Sequence, residues 1–305
     1  MRVLVAGATG FVGRRLVPAL VAAGHGVRGL TRHPDTYRGM ATPVGGDVRD
    51  AAALDTAFAG CDAAYYLVHS LDAADFKQRD AEGARTFGAA AARAGVRQIV
   101  YLGGLGVDGD ELSEHLRSRR EVETMLGESG VPVTVLRAGI IVGHGGLSWE
   151  LTRQLVSHLP VMVTPRWVST RSQPIAVEDV VCYLAAVLGL EAACGAVYEV
   201  GGPEVLTYAE MMRQVAHVLH RPLVVLPVPL LTPRLSSAWL SLVTSVDKQT
   251  ATALVDSMTN EVIVRDTTIE RLIPRQLMTF TEAARHALDE RAHERTEVRG
   301  ERAPA

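Results

Sequence analysis

The segment GATGFVG at residues 7–13 constrains the fold of this chain more than any other feature. It follows a β-branched apolar run at residues 3–6 and opens a pattern typical of an amphipathic helix over residues 11–23. In a strand-turn-helix unit, one glycine permits the tight turn, a second lets a pyrophosphate approach the backbone, and a third lets the helix pack closely on the strand. Free N–H groups at the helix N-terminus then favour an anion. We therefore predict a dinucleotide-binding turn here, in preference to an ordinary glycine-rich turn.

The first half of the chain alternates short β-branched runs with longer helical patterns. Strands are predicted at residues 3–6, 27–30, 42–45, 64–67, 99–102 and 134–137, and helices at 11–23, 51–59, 74–94 and 113–129. A glycine follows each helix as a candidate C-cap, namely Gly24, Gly60, Gly95 and Gly130. This order is typical of βαβ units, in which helices cover both faces of a parallel sheet. The predicted fold class is therefore α/β, with a Rossmann-type doubly wound parallel sheet.

The second half is less regular and predicts a smaller, intermixed C-terminal lobe. Helices are expected at residues 178–190 and 208–219, with a strand at 198–200. We assign residues 1–150 to the dinucleotide-binding domain, with about 170–200 returning to it, and residues 150–290 to a substrate lobe. Residues 290–305 are dense in charge and poor in apolar side chains, which predicts a flexible tail beyond a terminal helix.

The composition narrows the choice of partners. With 48% hydrophobic residues and a mean hydropathy of +0.13, the chain is too apolar for a disordered protein. Its formal net charge of −3 lacks the basic excess that nucleic-acid binding needs. We expect a small-molecule partner and no nucleic acid, with a homodimer possible because helices packed on such sheets often form two-fold interfaces.

The three cysteines, Cys61, Cys182 and Cys194, are spaced neither as a disulfide framework nor as a metal site. This pattern favours a reducing, cytoplasmic compartment and predicts no bound metal. The N-terminus lacks the features of a signal peptide. Prolines interrupt the apolar stretch at residues 222–246, so we predict a buried or lid segment there and no transmembrane helix; interfacial membrane contact remains the alternative.

The end of the second predicted strand indicates which nicotinamide cofactor is preferred. Nineteen residues after Gly13, where NAD-binding proteins usually carry an acidic residue for the ribose, the chain has Thr31 and Arg32. An arginine can bind a 2′-phosphate through a forked, charge-assisted contact. We therefore predict NADP(H) as the preferred cofactor, with NAD(H) possible. In the alternative, Arg32 is solvated and Asp35 binds the ribose.

Several further motifs carry a family resemblance that spans about residues 1–290. They are GDV at 46–48, YYLVHS at 65–70, YLGGLG at 101–106, QPIAVEDV at 173–180 and YEVGGP at 198–203. With the glycine turn, they resemble an atypical short-chain dehydrogenase/reductase. The nearest branch contains the NAD(P)H-binding NmrA-like redox sensors, the isoflavone-reductase-like enzymes and a respiratory complex I accessory subunit. The resemblance implies the Rossmann fold and dinucleotide binding, and is less specific for a reaction.

The resemblance also implies residue roles. It places Asp47 and Val48 at the adenine, and Leu67, Val68 and His69 at the ribose and pyrophosphate; the alternatives are a loop cap for Asp47 and a structural role for His69. The resemblance further implies that the nicotinamide lies along the segment Ala138, Gly139, Ile140 and Ile141. With the turn residues Gly7, Thr9, Gly10, Phe11, Val12 and Gly13, and with Thr31, Arg32 and Arg119, they form the predicted cofactor set.

The usual catalytic residues of this superfamily are missing. Gly103 and Gly104 occupy the place of the serine, while His115 and Arg119 replace the tyrosine and the lysine. Their spacing of four keeps both side chains on one helix face. Arginine cannot act as a base, so Arg119 would bind the cofactor, and a neutral His115 would polarise a carbonyl group. The alternative is that both belong to a solvated helix face.

Candidate walls of a substrate pocket are His144, Trp149, Trp167 and the segment 222–246, with core packing as the alternative. Three functions follow from these observations. The first is an NAD(P)H-dependent oxidoreductase that reduces a carbonyl group or conjugated alkene of a small apolar substrate. The second is a non-catalytic NAD(P)H-binding redox sensor or scaffold, and the third is a sugar-nucleotide epimerase or dehydratase.

Overall fold

The computed structural model describes residues 1–69, 76–106, 112–227 and 258–301. Ser70 and the greater part of the predicted apolar segment, residues 228–246, lie outside this set. The chain divides into two compact units. The first contains Met1–Ala138, Glu178–Val200 and Val264–Arg275, and the second contains the described parts of Gly139–Val177, Gly201–Ile263 and Gln276–Ala305.

The first unit is built on a seven-stranded parallel sheet. Its strands are β1 (Arg2–Ala6), β2 (Gly26–Thr31), β3 (Thr42–Gly45), β4 (Ala63–Tyr66), β5 (Gln98–Gly104), β6 (Val133–Ala138) and β11 (Val197–Val200). They lie in the order β11-β6-β5-β4-β1-β2-β3, so the chain reverses direction across the sheet between β1 and β4. This is the predicted doubly wound Rossmann-type sheet, and ligands bind such sheets at the reversal point.

Helices cover both faces of this sheet. They are α1 (Gly13–Ala22), α2 (Ala51–Phe58), α3 (Phe76–Arg93), α4 (Glu114–Gly127), α6 (Val177–Ala186) and the short α8 (Thr268–Leu272). The predicted C-cap glycines Gly24, Gly60, Gly95 and Gly130 all have positive φ, between 70° and 82°. At the other end of α2, the Asp50 carboxylate accepts hydrogen bonds from the backbone N–H groups of Ala52 and Ala53. Local sequence therefore sets where these helices begin and end.

An aromatic cluster fills the core between the sheet and α2 and α3. Phe58 meets Phe87 edge-on with ring centroids 4.9 Å apart, and Phe87 meets Tyr66 at 5.0 Å. Tyr101 on β5 continues the cluster at 6.2 Å from Tyr66. These rings are fully buried, so they anchor β4 and β5 against the helices near the carboxyl ends of the two strands.

The second unit combines helices with short two-stranded sheets. Its elements are β7 (Ile141–Val142), α5 (Leu147–His158), β8 (Val161–Thr164), β9 (Arg171–Ser172), β10 (Ile175–Ala176), β12 (Leu206–Thr207), α7 (Tyr208–Val218), β13 (Val224–Pro227) and α9 (Phe280–Glu301). A capping box of Thr207 and Glu210 starts α7. The charged segment that we predicted to be a flexible tail from residue 290 is helical to Glu301. No helix in the described part of the chain is long and apolar enough to cross a membrane.

Candidate functional site

A cleft of about 900 Å³ opens at the carboxyl ends of β1, β2 and β4, where the strand order reverses. All of its walls belong to the first unit. Ten of the predicted cofactor residues line it, namely Gly7, Thr9, Gly10, Thr31, Arg32, Asp47, Val48, Leu67, Val68 and His69. Residues of four separate sequence regions thus converge on one cavity.

The glycine turn forms one wall of this cleft and leaves no space for side chains at two positions. Gly7 has a φ of 87°, and a Cβ atom there would lie 2.7 Å from the carbonyl oxygen of Leu67. A Cβ atom at Gly13 would lie 2.1 Å from the carbonyl oxygen of Gly7. Val12 caps α1 without a side-chain hydrogen bond, so no side chain of the cap competes for the first N–H groups. The turn therefore presents bare backbone donors, as a bound pyrophosphate requires.

Phe11, Val12 and Gly13 support the turn and do not line the cleft. The Arg15 guanidinium lies 4.9 Å from the centroid of the Phe11 ring and donates a hydrogen bond of 2.8 Å to the Phe11 carbonyl oxygen. These contacts hold the outer side of the turn in place. The sequence prediction counted Phe11, Val12 and Gly13 as cofactor-binding residues and did not distinguish this structural role from direct binding.

Several basic residues line the cleft. Besides Arg32, the lining includes Arg14, Arg38, Arg49 and Arg79, which sequence reasoning did not identify. These four stand in loops or on helices outside the glycine motif, and their sequence context carries no signal that would have found them.

The loop after β2 is ordered by its own polar groups. Arg38 donates from Nη1 to the carbonyl oxygens of Asp35 and Tyr37, at 3.1 and 3.2 Å. The Thr31 hydroxyl accepts from the His33 backbone N–H at 3.2 Å. Asp35, the alternative ribose ligand, is not among the lining residues, whereas Arg32 is.

Asp47 remains an ionised acceptor on the floor of the cleft. Burial by itself raises the pKa of Asp47, but hydrogen bonds from Arg49 and the charges of Arg49 and Arg32 outweigh burial and lower it. Its Oδ1 atom accepts from the Arg49 backbone N–H and Nε, both at 3.0 Å. The Asp47 carboxylate therefore also orders its own loop, as the loop-cap alternative expects.

A buried hydroxyl without a partner among the described residues lies next to the cleft, at the end of β4. The Tyr66 hydroxyl is buried and has no hydrogen-bond partner within the described residues, although Tyr66 lines the cavity. Burial, and then the negative charge of Asp80, raise the pKa of Tyr66 well above its ordinary value. This residue was missed by the sequence analysis, and it is a neutral donor with unused hydrogen-bonding capacity, which is what a site for a polar ligand offers.

His69 joins the cleft to the predicted catalytic helix. Its Nε2 atom is in contact with Nη1 of Arg119, which also donates to the Leu102 carbonyl oxygen at 3.2 Å. Burial, and then the charge of Arg119, lower the pKa of His69 well below its ordinary value, so the ring is neutral. Because arginine has only donors, Nε2 of His69 accepts and its Nδ1 carries the proton. The Nε atom of Arg119 is buried and lacks a partner among the described residues.

His115 lies on the same side of α4 as Arg119. Burial lowers the pKa of His115 to about 3, and Arg119 contributes to the shift as the smaller cause. The sequence argument expected a neutral His115 because of the neighbouring cation, whereas burial is the main reason. Arg117, which lies between them in sequence, is exposed and belongs to a solvated face of α4. Arg119 is instead turned towards β5, so the solvated-face alternative does not describe it.

The end of β5 and the two residues after it are held by an ion-pair network at the position of the missing serine. Arg120 donates to the carbonyl oxygens of Gly104 and Gly106, at 3.0 and 2.8 Å. Glu123 faces Arg120 at 3.5 Å and Arg137 at 2.7 Å. A Cβ atom at Gly104 would lie 2.7 Å from the Leu116 side chain, so α4 packs closely on this strand. The segment Gly104–Gly106 is therefore held in place by Arg120, and it carries no hydroxyl.

The remaining predicted residues belong to the second unit, apart from Ala138 at the end of β6. Trp149 and Trp167 are 1% and 5% exposed and lie in the core of that unit, where Trp167 meets Tyr208 edge-on at 5.6 Å. His144 lies between two carboxylates, with Nδ1 at 3.0 Å from Glu150 and Nε2 at 2.5 Å from Glu294. Core packing and ion pairing account for these positions, and their role at a substrate stays a prediction.

The nicotinamide segment Gly139, Ile140 and Ile141 continues from β6 into β7, where Ile141 pairs with Ile175 of β10. Gly139 approaches Val262, whose side chain would lie 3.4 Å from an added Cβ atom. The role of this segment at the nicotinamide also stays a prediction. Among the described residues, no group of three or more His, Cys, Asp or Glu side chains could hold a metal ion.

Comparison with known proteins identifies the family of this chain. The model of the NAD(P)H-binding family matches residues 7–158. A (4-alkanoyl-5-oxo-2,5-dihydrofuran-3-yl)methyl phosphate reductase from Streptomyces griseus is 35% identical over 233 residues, which cover 72% of this chain and 75% of the relative.

Two solved structures share the fold at low sequence identity. An NADPH-dependent quinone oxidoreductase from Escherichia coli, complexed with NADPH, has a TM-score of 0.77 at 22% identity and covers 94% of this chain and 99% of its own. The Citrobacter sp. triphenylmethane reductase, complexed with NADP(H), also has a TM-score of 0.77, at 18% identity, and covers 94% and 100%. At these identities the likeness concerns the fold alone.

Proposed function

Since the chain belongs to the NAD(P)H-binding family of reductases, we propose that it is an NADPH-dependent oxidoreductase acting on a carbonyl group or a conjugated alkene of a small, largely apolar molecule. The observation that carries the proposal is the cleft at the ends of β1, β2 and β4, which is lined by the glycine turn and by several arginines. When bound, the nicotinamide cofactor supplies the hydride chemistry.

The residues of the cleft fit a dinucleotide. The glycine turn offers the N–H groups at the start of α1 to a pyrophosphate, because no side chain of the cap covers them. The Gly10 N–H itself is used within the turn, where it donates to the Gly7 carbonyl oxygen at 3.0 Å. The Asp47 carboxylate offers an acceptor on the lining of the cavity. Together these groups suit the alternating phosphate, ribose and base of a nucleotide.

Arg32 and Arg38 support a preference for NADP(H) over NAD(H). Both line the cleft beside Thr31, at the end of β2 where the ribose of a dinucleotide binds in this fold. A guanidinium stabilises a 2′-phosphate through charge-assisted hydrogen bonds but gains little from a neutral 2′-hydroxyl. NAD(H) therefore remains a usable but weaker cofactor in this proposal.

His115, His69 and Arg119 are the residues that we assign to the reacting end. Arg119 holds His69 in one tautomer and is a positioning residue for the cofactor, because it contacts a side chain that lines the cleft. His115 is neutral and would polarise a substrate carbonyl through an N–H group without releasing a full proton. The expected catalysis is modest, since no tuned acid is present.

The name of the Streptomyces griseus relative supports the substrate class. It describes a dihydrofuran ring that bears an oxo group, an alkanoyl group and a methyl phosphate. This combination contains both carbonyl groups and a ring alkene, which are the two reducible groups that we propose.

The alternative is a non-catalytic NAD(P)H-binding sensor or scaffold, and one observation favours it. Gly103 and Gly104 hold no hydroxyl at the position of the catalytic serine. A sugar-nucleotide epimerase or dehydratase is a weaker proposal, since it needs the missing tyrosine. The three free cysteines also support a cytoplasmic location as part of our proposal.

The proposal is tested with purified protein, NADPH and a panel of ketones, quinones and conjugated alkenes. Loss of the near-ultraviolet absorbance of NADPH measures turnover, and calorimetry measures cofactor affinity. Gly10→Asp, which places a carboxylate in the pyrophosphate site, is the control and should abolish both signals. Tight NADPH binding without turnover of any substrate would favour the sensor, and absence of binding would refute both.

A further inference from the structure

A second cleft, of about 790 Å³, lies wholly within the second unit. Four arginines line it: Arg153 on α5, Arg221 just after α7, and Arg291 and Arg295 on α9. The hydroxyl-bearing Ser157 and Thr296 also line it, and Glu294 is its acidic member. Arg291 and Arg295 are spaced by four residues, as are Arg153 and Ser157, so each pair faces the cleft from one side of its helix. We call this cavity the basic cleft.

The carboxylates near the basic cleft are already engaged. Oε2 of Glu150 accepts from Arg153 at 2.9 Å and from Arg291 at 3.1 Å, while Oε1 faces His144. The Glu294 carboxylate is directed at the other nitrogen of His144. Two guanidinium groups therefore share a single carboxylate, and the one lining glutamate is occupied by a histidine.

The other two arginines differ from these, because no carboxylate among the described residues pairs with them. Arg221 donates to the Ser157 carbonyl oxygen at 2.6 Å, which orients its guanidinium without neutralising it. Within the described part of the chain, neither Arg221 nor Arg295 has a carboxylate partner. The excess of positive charge is local, because the chain as a whole carries a net charge of −3.

Burial and neighbouring like charges both act on Arg291. Burial, and then the charges of Arg153 and Arg295, lower the pKa of Arg291, even though Glu150 acts in the opposite direction. An anion in the cleft would relieve this repulsion and satisfy guanidinium donors that now face solvent. The ion pairs with Glu150 already join α5 to α9, so the contact between these two helices does not require Arg221 or Arg295.

We propose that the basic cleft binds the phosphate group of a small phosphorylated compound. Arginine forks match the oxygens of a phosphate, and the hydroxyls of Ser157 and Thr296 add further donors. The apolar side chains of Leu219 and Leu288 also line the cleft and suit a short carbon body attached to the phosphate. The inference does not rest on the proposed reductase activity, because it concerns a different cavity.

The test is a calorimetric titration with inorganic phosphate, at constant ionic strength in chloride. The double variant Arg221→Gln/Arg295→Gln removes the two arginines without a carboxylate partner and leaves the ion pairs of Glu150 in place. We expect it to weaken phosphate binding at least tenfold. Arg285→Gln, an exposed position on the same helix outside the cleft, is the matched control and should change the affinity by less than twofold. Thermal unfolding of each variant verifies that the fold is intact.

Phosphate binding at the cofactor cleft is the main confounding event, and Arg32→Gln identifies it. If Arg32→Gln abolishes the phosphate signal while Arg221→Gln/Arg295→Gln preserves it, the proposal is overturned. Absence of any phosphate binding to the parent protein overturns it equally. Both results are read without turnover, so an inactive reductase would not affect them.

Once binding is established, kinetics identify the source of the phosphate. If inorganic phosphate raises KM for a phosphate-bearing substrate and leaves a phosphate-free analogue unchanged, the cleft recognises the substrate. If phosphate changes kcat for the phosphate-free analogue, the cleft binds a separate regulatory compound. Either outcome supports the assignment.

Discussion

Replacing Gly13 by alanine should damage the dinucleotide turn, although alanine is the better helix former. The added Cβ atom would lie 2.1 Å from the Gly7 carbonyl oxygen, 2.8 Å from its carbonyl carbon and 2.9 Å from the Cα atom of Ala8. All three neighbours are backbone atoms, so no rotation of a side chain relieves the clash. Helix α1 and the turn must therefore separate.

The expected magnitude follows from two opposing effects. Overpacking of this kind costs about 1–3 kcal/mol, and a backbone clash lies at the upper end of that range. Replacing glycine by alanine in a helix returns about 1 kcal/mol. We expect a net loss of about 2 kcal/mol in the free energy of unfolding, and at least a tenfold loss of NADPH affinity, because the separated turn no longer directs its N–H groups at one point.

Gly127→Ala is the matched control. Gly127 is also a helical glycine of the first unit, and no heavy atom lies within 4 Å of its added Cβ atom. The control should be neutral or stabilising by up to about 1 kcal/mol. Denaturant unfolding and calorimetry with NADPH measure both variants. If Gly13→Ala folds and binds NADPH as the parent does, our account of the turn is incorrect.

Three further predictions concern charged groups of the first unit. Arg32→Ala should cost about 1.5–3 kcal/mol of NADPH binding and leave NADH binding nearly unchanged, as measured by calorimetry; an equal loss for both cofactors would mean that Arg32 only shapes its loop. His115→Ala should lower kcat with little change in NADPH affinity, whereas Arg119→Ala should weaken the affinity itself, and identical behaviour of the two variants would contradict their separate roles. The third concerns pH: His69 and His115 have pKa values lowered in the folded state, that of His115 to about 3, so the unfolded chain binds more protons below about pH 6.5. Stability is therefore complete above pH 6.5 and falls as the pH is lowered towards 4 in denaturant unfolding, and His69→Gln/His115→Gln should flatten that dependence.

The sequence alone predicted the parallel sheet of the first unit. Each predicted strand in the first half matches an observed strand within about two residues, and the glycines predicted to end four helices have positive φ. These features are local, because hydrophobic periodicity and glycine conformation depend on neighbours a few residues apart. The glycine turn belongs to the same class, since strand, turn and helix are consecutive.

The elements of the second unit were harder to predict. Helix α5 and the strand pairs were not identified, and the charged terminal segment is more helical than its composition suggested. Strands of two residues such as β7 and β10 carry almost no periodic signal. They exist because partners distant in sequence supply their hydrogen bonds, as Ile175 does for Ile141.

The surroundings of individual side chains were decided only by tertiary packing. A spacing of four predicts that His115 and Arg119 share a helix face, but it does not say which face meets β5. The basic cleft brings Arg153, Arg221 and Arg295 together across 142 positions of the sequence, so no local pattern could show it. Periodicity determines which residues form a helix or strand. Burial of apolar surface between distant segments determines which charged groups come into contact. Those contacts set the pKa values and form the candidate binding sites of this protein.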